Sequence, residues 1–257
     1  MPQIRPAACA GSFYPSDGRD LESAVDALTP ECHGDPLAMI VPHAGYIYSG
    51  AVAGAAYTKL RGRKFDKIVL LGPAHRLWFR GIALPCATHF ETPLGCVPLD
   101  PVCNELARRE GFIESVEAHR LEHALEVQLP FLQHVLGNFT LIPLLVGDAD
   151  PAAVSEVIDM FLGEPGTLVL ASSDLSHFHD YDKAVKIDRI TADAIMALDP
   201  SIDHEQACGA TPVNGLLISA KRRKLAPRLV DIKNSGDTAG DKRRVVGYAS
   251  FTFGEAA

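Results

Sequence analysis

Residues 167–177 read TLVLASSDLSH, and residues 38–45 and 67–76 read AMIVPHAG and KIVLLGPAHR. Each stretch is a short run of β-branched and leucine side chains, the composition of a strand covered on both faces, and each passes without a spacer into polar residues. His43, His75, Asp174 and His177 therefore stand at or just beyond the carboxyl ends of three apolar strands. In open α/β sheets that edge is where ligands bind. Any one of these histidines reads equally well as a turn cap or as the partner of a local backbone group. Three such ends in one chain favour a shared site.

Working outward, further strands are read over Gly81–Leu84, Thr140–Val146, Leu229–Lys233 and Val245–Phe253, and helical spacing appears over Ser49–Leu60, Pro151–Leu162, Ala184–Leu198 and Val213–Lys224. This alternation predicts an α/β fold whose mostly parallel central sheet carries helices on both faces. Leu121, Leu125, Leu129, Leu132 and Leu136 share one helical face, so EHALEVQLPFLQHVL (residues 122–136) reads as one amphipathic helix with its leucines inward. Pro130 predicts a kink or a restart near Gln128–Pro130. No Ser/Gly-rich linker, charge block or repeat divides the chain, so its 257 residues read as one domain over 1–257.

Composition narrows the function. With 47% hydrophobic residues the chain can bury a large core, which excludes disorder. A formal charge of -8 argues against gripping phosphate backbones, so no nucleic-acid partner is expected. The short basic runs Lys221–Lys224 and Lys242–Arg244 read as solvated faces. The longest uncharged stretch, residues 36–58, is broken by Pro42, Gly45, Gly50 and Gly54 and would span a bilayer badly, so no membrane partner is expected either. The opening MPQIRPAACAGSFYPSD holds no apolar run of signal-peptide length, which places the chain in the cytoplasm with its six cysteines reduced. No CxxC pair occurs, so each cysteine is judged singly.

Imidazole and carboxylate converging on one edge point to a metal, because neutral histidine suits Fe, Zn, Cu and Ni. Asp174 and His177 are three apart, so Asp174 orients the His177 ring, binds directly, or caps the following turn. Cys208 precedes Thr211 and Pro212, read as N-cap and first residue of the helix Val213–Lys224. The helix dipole there favours a thiolate, making Cys208 a candidate ligand or nucleophile. Glu122 and His123 open the leucine helix and either line the same crevice or form an exposed first turn. His33, His89, His119, His134, His179 and His204 carry no such placement. No GxGxxG, GxxxxGK[ST], GxSxG or HExxH is present, so the common dinucleotide, P-loop, hydrolase and zincin readings lack support.

At these positions the sequence resembles the Memo family. The resemblance runs from RPAACAGSFYP through VPHAGYIYSG, LLGPAHR, LEHALEVQLPFL, IPLLVGD, SSDLSHF and CGATPVNGLL to VVGYASFTF. It implies a fold similar to the LigB-type extradiol ring-cleavage dioxygenases, non-heme Fe(II) enzymes built on a single-domain αβα sandwich. It further implies that His43 and His75 are metal ligands and that Cys208 takes the place of the carboxylate those dioxygenases use as third ligand. Asp174, His177 and His123 become the polar, acid–base residues of the pocket. A thiolate is softer than a carboxylate and oxidisable, so Cu or Zn stand beside Fe(II) as metals. Two functions follow: a dioxygenase-like, Fe(II)-dependent oxidoreductase acting on a small molecule, or a non-catalytic protein presenting a metal- or ligand-binding pocket to a partner. A third reading makes Cys208 a nucleophile with His177 as base. The resemblance also implies a functional link to a radical-SAM protein and an AMMECR-type protein.

Overall fold

The computed structural model describes residues 3–255. Its strands are β1 (Ile4–Arg5), β2 (Ala38–Val41), β3 (Lys67–Pro73), β4 (Ile82–Leu84), β5 (His89–Thr92), β6 (Gly95–Pro98), β7 (Phe112–Glu114), β8 (Thr140–Val146), β9 (Thr167–Ser172), β10 (His177–His179), β11 (Leu225–Asn234) and β12 (Val245–Glu255). The helices are α1 (Gly18–Leu28), α2 (Tyr46–Tyr57), α3 (Cys103–Leu106), α4 (Val116–Arg120), α5 (Leu129–Leu136), α6 (Pro151–Asp159), α7 (Tyr181–Met196), α8 (Ala210–Arg222) and α9 (Ser235–Thr238). A nine-stranded sheet has the order β10-β12-β2-β9-β3-β8-β4-β7, with β11 on β12, and β1-β5-β6 form a small second sheet.

The core follows from the two-residue period of a strand. Ile40, Val69, Leu71, Ile142, Leu144, Val169 and Ala171 face one side, where α6, α7 and α8 bring Val154, Ile158, Ile195, Val213 and Leu217. The alternate residues Met39, Val41, Ile68, Leu70, Leu141, Leu145, Leu168 and Leu170 face the other, packed by Leu21 and Val25 of α1, Ala53 and Tyr57 of α2, and Leu129 and Leu132 of α5. Helices on both faces explain why the central strands read as unbroken apolar runs.

The sheet is mixed rather than mostly parallel. β2, β9, β3 and β8 run parallel, but β12 lies antiparallel to β2, β10 and β11, and β4 antiparallel to β8. β11 and β12 are joined by a short segment containing α9; such a connection closes an antiparallel pair, whereas parallel neighbours need a long crossover. Helix α1, whose first turn is capped by the Asp17 side chain, adds to the helices expected from sequence.

The leucine segment is not one helix. α4 ends at Arg120, a 3₁₀ turn covers Glu126–Gln128, and α5 starts at Leu129 with Pro130 in its first turn, so the restart falls where the proline predicts it. Leu121 is 50% exposed rather than inward. Residues 122–124 cannot continue a helix because their backbone groups are engaged elsewhere: the Glu122 carboxylate takes the N–H groups of His123 and Ala124, and the Ser172 hydroxyl donates to the Ala124 carbonyl. Among the described residues, no helix is long and apolar enough to cross a membrane.

Candidate metal centre

Strand order brings the three polar strand ends together. β9 lies between β2 and β3, so Pro42-His43, Ala74-His75 and Ser173-Asp174 leave the sheet side by side at its carboxyl edge. His123 reaches the same place from the turn ahead of α5. Ring centroids are 5.1 Å apart for His43 and His75, 5.3 Å for His43 and His123, and 4.5 Å for His75 and His123. One ligand atom from each of these three histidines lies within 4.8 Å of the others, a group able to hold a metal ion.

Neighbouring groups set the ring tautomers. The single proton of Ser172 Oγ goes to the Ala124 carbonyl at 2.6 Å, and Gln128 Nε2 donates to Ser172 Oγ at 2.8 Å. His43 Nδ1, 2.9 Å from Ser172 Oγ, must then carry the hydrogen, which leaves the Nε2 lone pair free. Gln128 is itself held by Tyr57, whose hydroxyl donates to Oε1, and by the Pro42 carbonyl. Burial first, and then the neighbouring His75 and His123, hold His43 well below its ordinary pKa, so the ring is neutral as a metal ligand requires.

Glu122 performs the same task for His75. Its Oε1 accepts from His75 Nδ1 at 2.9 Å and its Oε2 from the His75 backbone N–H at 2.7 Å. Burial alone would raise this carboxyl. The nearby His123 imidazole, the His75 ring and the Ala124 N–H outweigh it and hold Glu122 well below the carboxylate range, ionised at 2% exposure. A histidine whose second nitrogen donates to a carboxylate is the standard outer shell of a metal site. His123 Nδ1 sits 3.2 Å from Glu122 Oε1 without the angle of a hydrogen bond, a buried polar atom left for another partner. These features fit a divalent cation.

Other expected residues surround the cluster in different roles. The buried Asp174 carboxylate accepts the His43 backbone N–H at 2.7 Å, so it fixes the His43 loop instead of capping a helix. Burial raises its pKa. His177 begins β10, half-buried, and the following Phe178 takes the left-handed conformation (φ 62°) at a bulge against β12.

Cys208 Sγ lies 3.2 Å from His43 Nε2 and 3.3 Å from the Asp174 N–H. Helix α8 begins earlier than the sequence suggests, at Ala210 after Gly209, so Thr211 is inside the first turn and not the N-cap. The thiol is pushed up to about 12 by burial and by Asp174, which outweigh the helix-end effect expected from sequence. Gly209 permits this approach: a Cβ there would lie 2.7 Å from the Ser172 carbonyl oxygen. Glu122 and His123 follow α4 and do not sit at a helix N-terminus.

A cavity of ≈ 290 Å³ lies against His75 of the cluster and is lined also by Trp78, Phe79, His204, Cys208 and Thr211 among others. Phe13 covers His123, with ring centroids 4.7 Å apart. Sequence reasoning gives Ser172, Gln128, Phe13 and His204 no role. For Ser172 a signal exists, since it directly precedes the Ser173-Asp174 strand end.

These features define an α/β protein with a three-histidine candidate metal centre at the carboxyl edge of its sheet. Comparison narrows the class: the family described as Memo-like protein matches residues 5–252, and the chain belongs to the Memo family. A MEMO1 family protein of Thermoplasma volcanium is 34% identical over 262 residues, 96% of this chain and 97% of that protein. One from Aquifex aeolicus is 35% identical over 268 residues, 98% of this chain and 99% of the relative. A solved structure, an uncharacterized protein of Escherichia coli K12, aligns with TM-score 0.58 at 15% identity over 84% of this chain and 99% of that one, a likeness of fold.

Proposed function

We propose that this chain is a metal-dependent oxidoreductase built as a single domain on the plan of the LigB-type extradiol dioxygenases, holding Fe(II), with Cu or Zn as alternatives, and acting on a compact small molecule. The observation that carries this reading is the His43, His75 and His123 cluster, with the His43 and His75 tautomers set by Ser172 and Glu122 and His75 lining a cavity. The three imidazoles would hold the metal, and Cys208, beside His43 Nε2, is the candidate further donor. When bound, Fe(II) would supply Lewis-acid and redox chemistry toward dioxygen and an oxygen-donor substrate.

The chain's own residues do the rest. His177, at the start of β10, takes and returns the substrate proton. Asp174 keeps the His43 loop in place through its backbone N–H. Trp78, Phe79 and Pro212 wall the cavity with apolar surface that packs the substrate body and excludes water. His123, expected from sequence as an acid–base group, serves here as a ligand. A functional link to a radical-SAM protein and an AMMECR-type protein is proposed on the strength of family membership.

The test is metal content per chain after anaerobic purification, followed by oxygen uptake of the Fe(II)-reconstituted protein over a panel of catechols and simpler phenols. Bound iron with substrate-dependent uptake supports the proposal. Bound metal with no uptake from any compound supports the non-catalytic reading, in which the pocket is presented to a partner.

A further inference from the structure

A second reactive pair lies at the far end of α2 from the histidines. Lys59 follows α2 in the 3₁₀ turn Thr58–Leu60, and its Nζ lies 2.8 Å from Cys32 Sγ. α2 begins three residues after His43, and at 1.5 Å per residue it carries Lys59 about 18 Å from the metal centre. The two sites are independent.

The backbone holds this pair together. Thr58 Oγ1 donates to the Pro30 carbonyl, Arg61 Nε donates to the Thr29 carbonyl at 2.8 Å, and His33 Nδ1 lies 3.1 Å from the Arg61 carbonyl. Gly34 closes the packing, since a Cβ there would lie 2.9 Å from Lys59 Cβ. The segment 29–34 is thus pinned to the turn 58–61 on both sides of the Cys32 and Lys59 side chains.

Two features suit this pair to oxidation. A separation of 2.8 Å is that of a nitrogen–oxygen hydrogen bond, short for the larger sulfur atom and near the spacing of nitrogen and sulfur bonded to one common oxygen. Both residues are half-buried, within reach of a small oxidant. The hydrogen bond from Lys59 also lowers the Cys32 thiol, favouring the thiolate that attacks peroxides, while burial raises Cys9, Cys103 and Cys208.

We propose that Cys32 and Lys59 form an oxidant-responsive pair that a peroxide converts into a covalent Sγ–O–Nζ bridge. The thiolate sulfur attacks one peroxide oxygen, the O–O bond breaks, and sulfenic acid and hydroxide result. In a second two-electron step the sulfenic oxygen bonds to Nζ; the O–H and one N–H proton leave, and a second peroxide accepts the electron pair and becomes water. Sulfur and nitrogen each lose two electrons. One thiol, one amine and two hydrogen peroxide molecules give one bridge and three waters.

The experiment titrates the reduced full-length protein with hydrogen peroxide and reads intact mass and tryptic peptides. The expected product is a peptide linking Cys32 to Lys59, with one oxygen gained and two hydrogens lost, uncleaved after Lys59 and reversed by dithiothreitol. Lys59→Arg keeps the cation but removes the amine. It should abolish the link and leave Cys32 as a sulfenic acid trapped by dimedone, with a thermal unfolding midpoint unchanged from wild type. Oxidation of wild-type Cys32 to sulfenic or sulfinic acid with no linked peptide would overturn the proposal, as would a link that survives Lys59→Arg or a Cys32 that stays reduced while other thiols oxidise.

Discussion

Glu122→Gln tests the centre with the least change of shape. The carboxylate accepts four hydrogen bonds: from His75 Nδ1 at 2.9 Å, His75 N at 2.7 Å, His123 N at 2.9 Å and Ala124 N at 3.0 Å. An amide keeps one oxygen. Its NH2 group must face a donor, either the His75 backbone N–H or the three donors around Oε1. A hydrogen bond to a charged group contributes about 1.5–3 kcal/mol, and at 1% side-chain exposure solvent does not replace the one that is lost. We expect a stability loss of about 2–3 kcal/mol, read by denaturant unfolding of metal-free protein. Metal affinity should fall about 10–100-fold, because a neutral amide with one acceptor fewer no longer holds both the His75 ring and its backbone N–H. The measurement is a competition titration of Fe(II) and Zn(II) against a chelator under anaerobic conditions.

A pH series adds a sign. Glu122 is held below its unfolded value of 4.5, so it contributes stability that is present above that pH and lost as pH falls from 4.5 toward the folded value. Wild type should therefore lose more stability than Glu122→Gln over that acid range. Wild-type affinity in a folded Glu122→Gln protein would refute the argument that Glu122 organises the site.

Three other outcomes are expected. His123→Ala should abolish stoichiometric metal binding while Cys208→Ser weakens it without abolishing it; the reverse order, measured by metal content after anaerobic purification, would make the site His-His-Cys. Gly209→Ala should destabilise the fold by about 1–3 kcal/mol, since its Cβ would press on the Ser172 carbonyl and the Ser173 side chain, and an unchanged melting curve would contradict that contact. His119 is buried, with Nε2 against the Ala83 carbonyl, and burial lowers it from 6.5 to about 4. The unfolded chain therefore binds this proton first, and about 3 kcal/mol of stability present above pH 6.5 should be lost as pH falls toward 4. His119→Asn should flatten that part of the urea-unfolding pH profile.

Much of the centre is legible in the residues alone. Apolar runs ending in His43, His75 and Asp174 are local patterns, and burial on both faces leaves the same mark wherever a strand stands in the sheet. The Pro130 restart is readable for the same reason, since it depends on a missing N–H and a fixed φ. The acidity of Cys208 is not. A helix end close in sequence suggests a thiolate, whereas burial and Asp174, 34 residues away in the chain, dominate its environment.

Sequence by itself thus determined the central strands though not the short edge strands β1, β5, β6, β7 and β10, most of the helices that cover the sheet, and which polar residues stand at strand ends, because each depends on neighbours a few residues away. Tertiary structure decided which residues meet. The order β2-β9-β3 sets three ends abreast, and the turn at residues 122–124, where the Glu122 carboxylate takes the His123 and Ala124 N–H groups and Ser172 donates to the Ala124 carbonyl, brings His123 to His43 and His75. Hydrogen bonds between residues distant in sequence then chose which nitrogen of the His43 and His75 rings stays free, and no local pattern of residues carries that information.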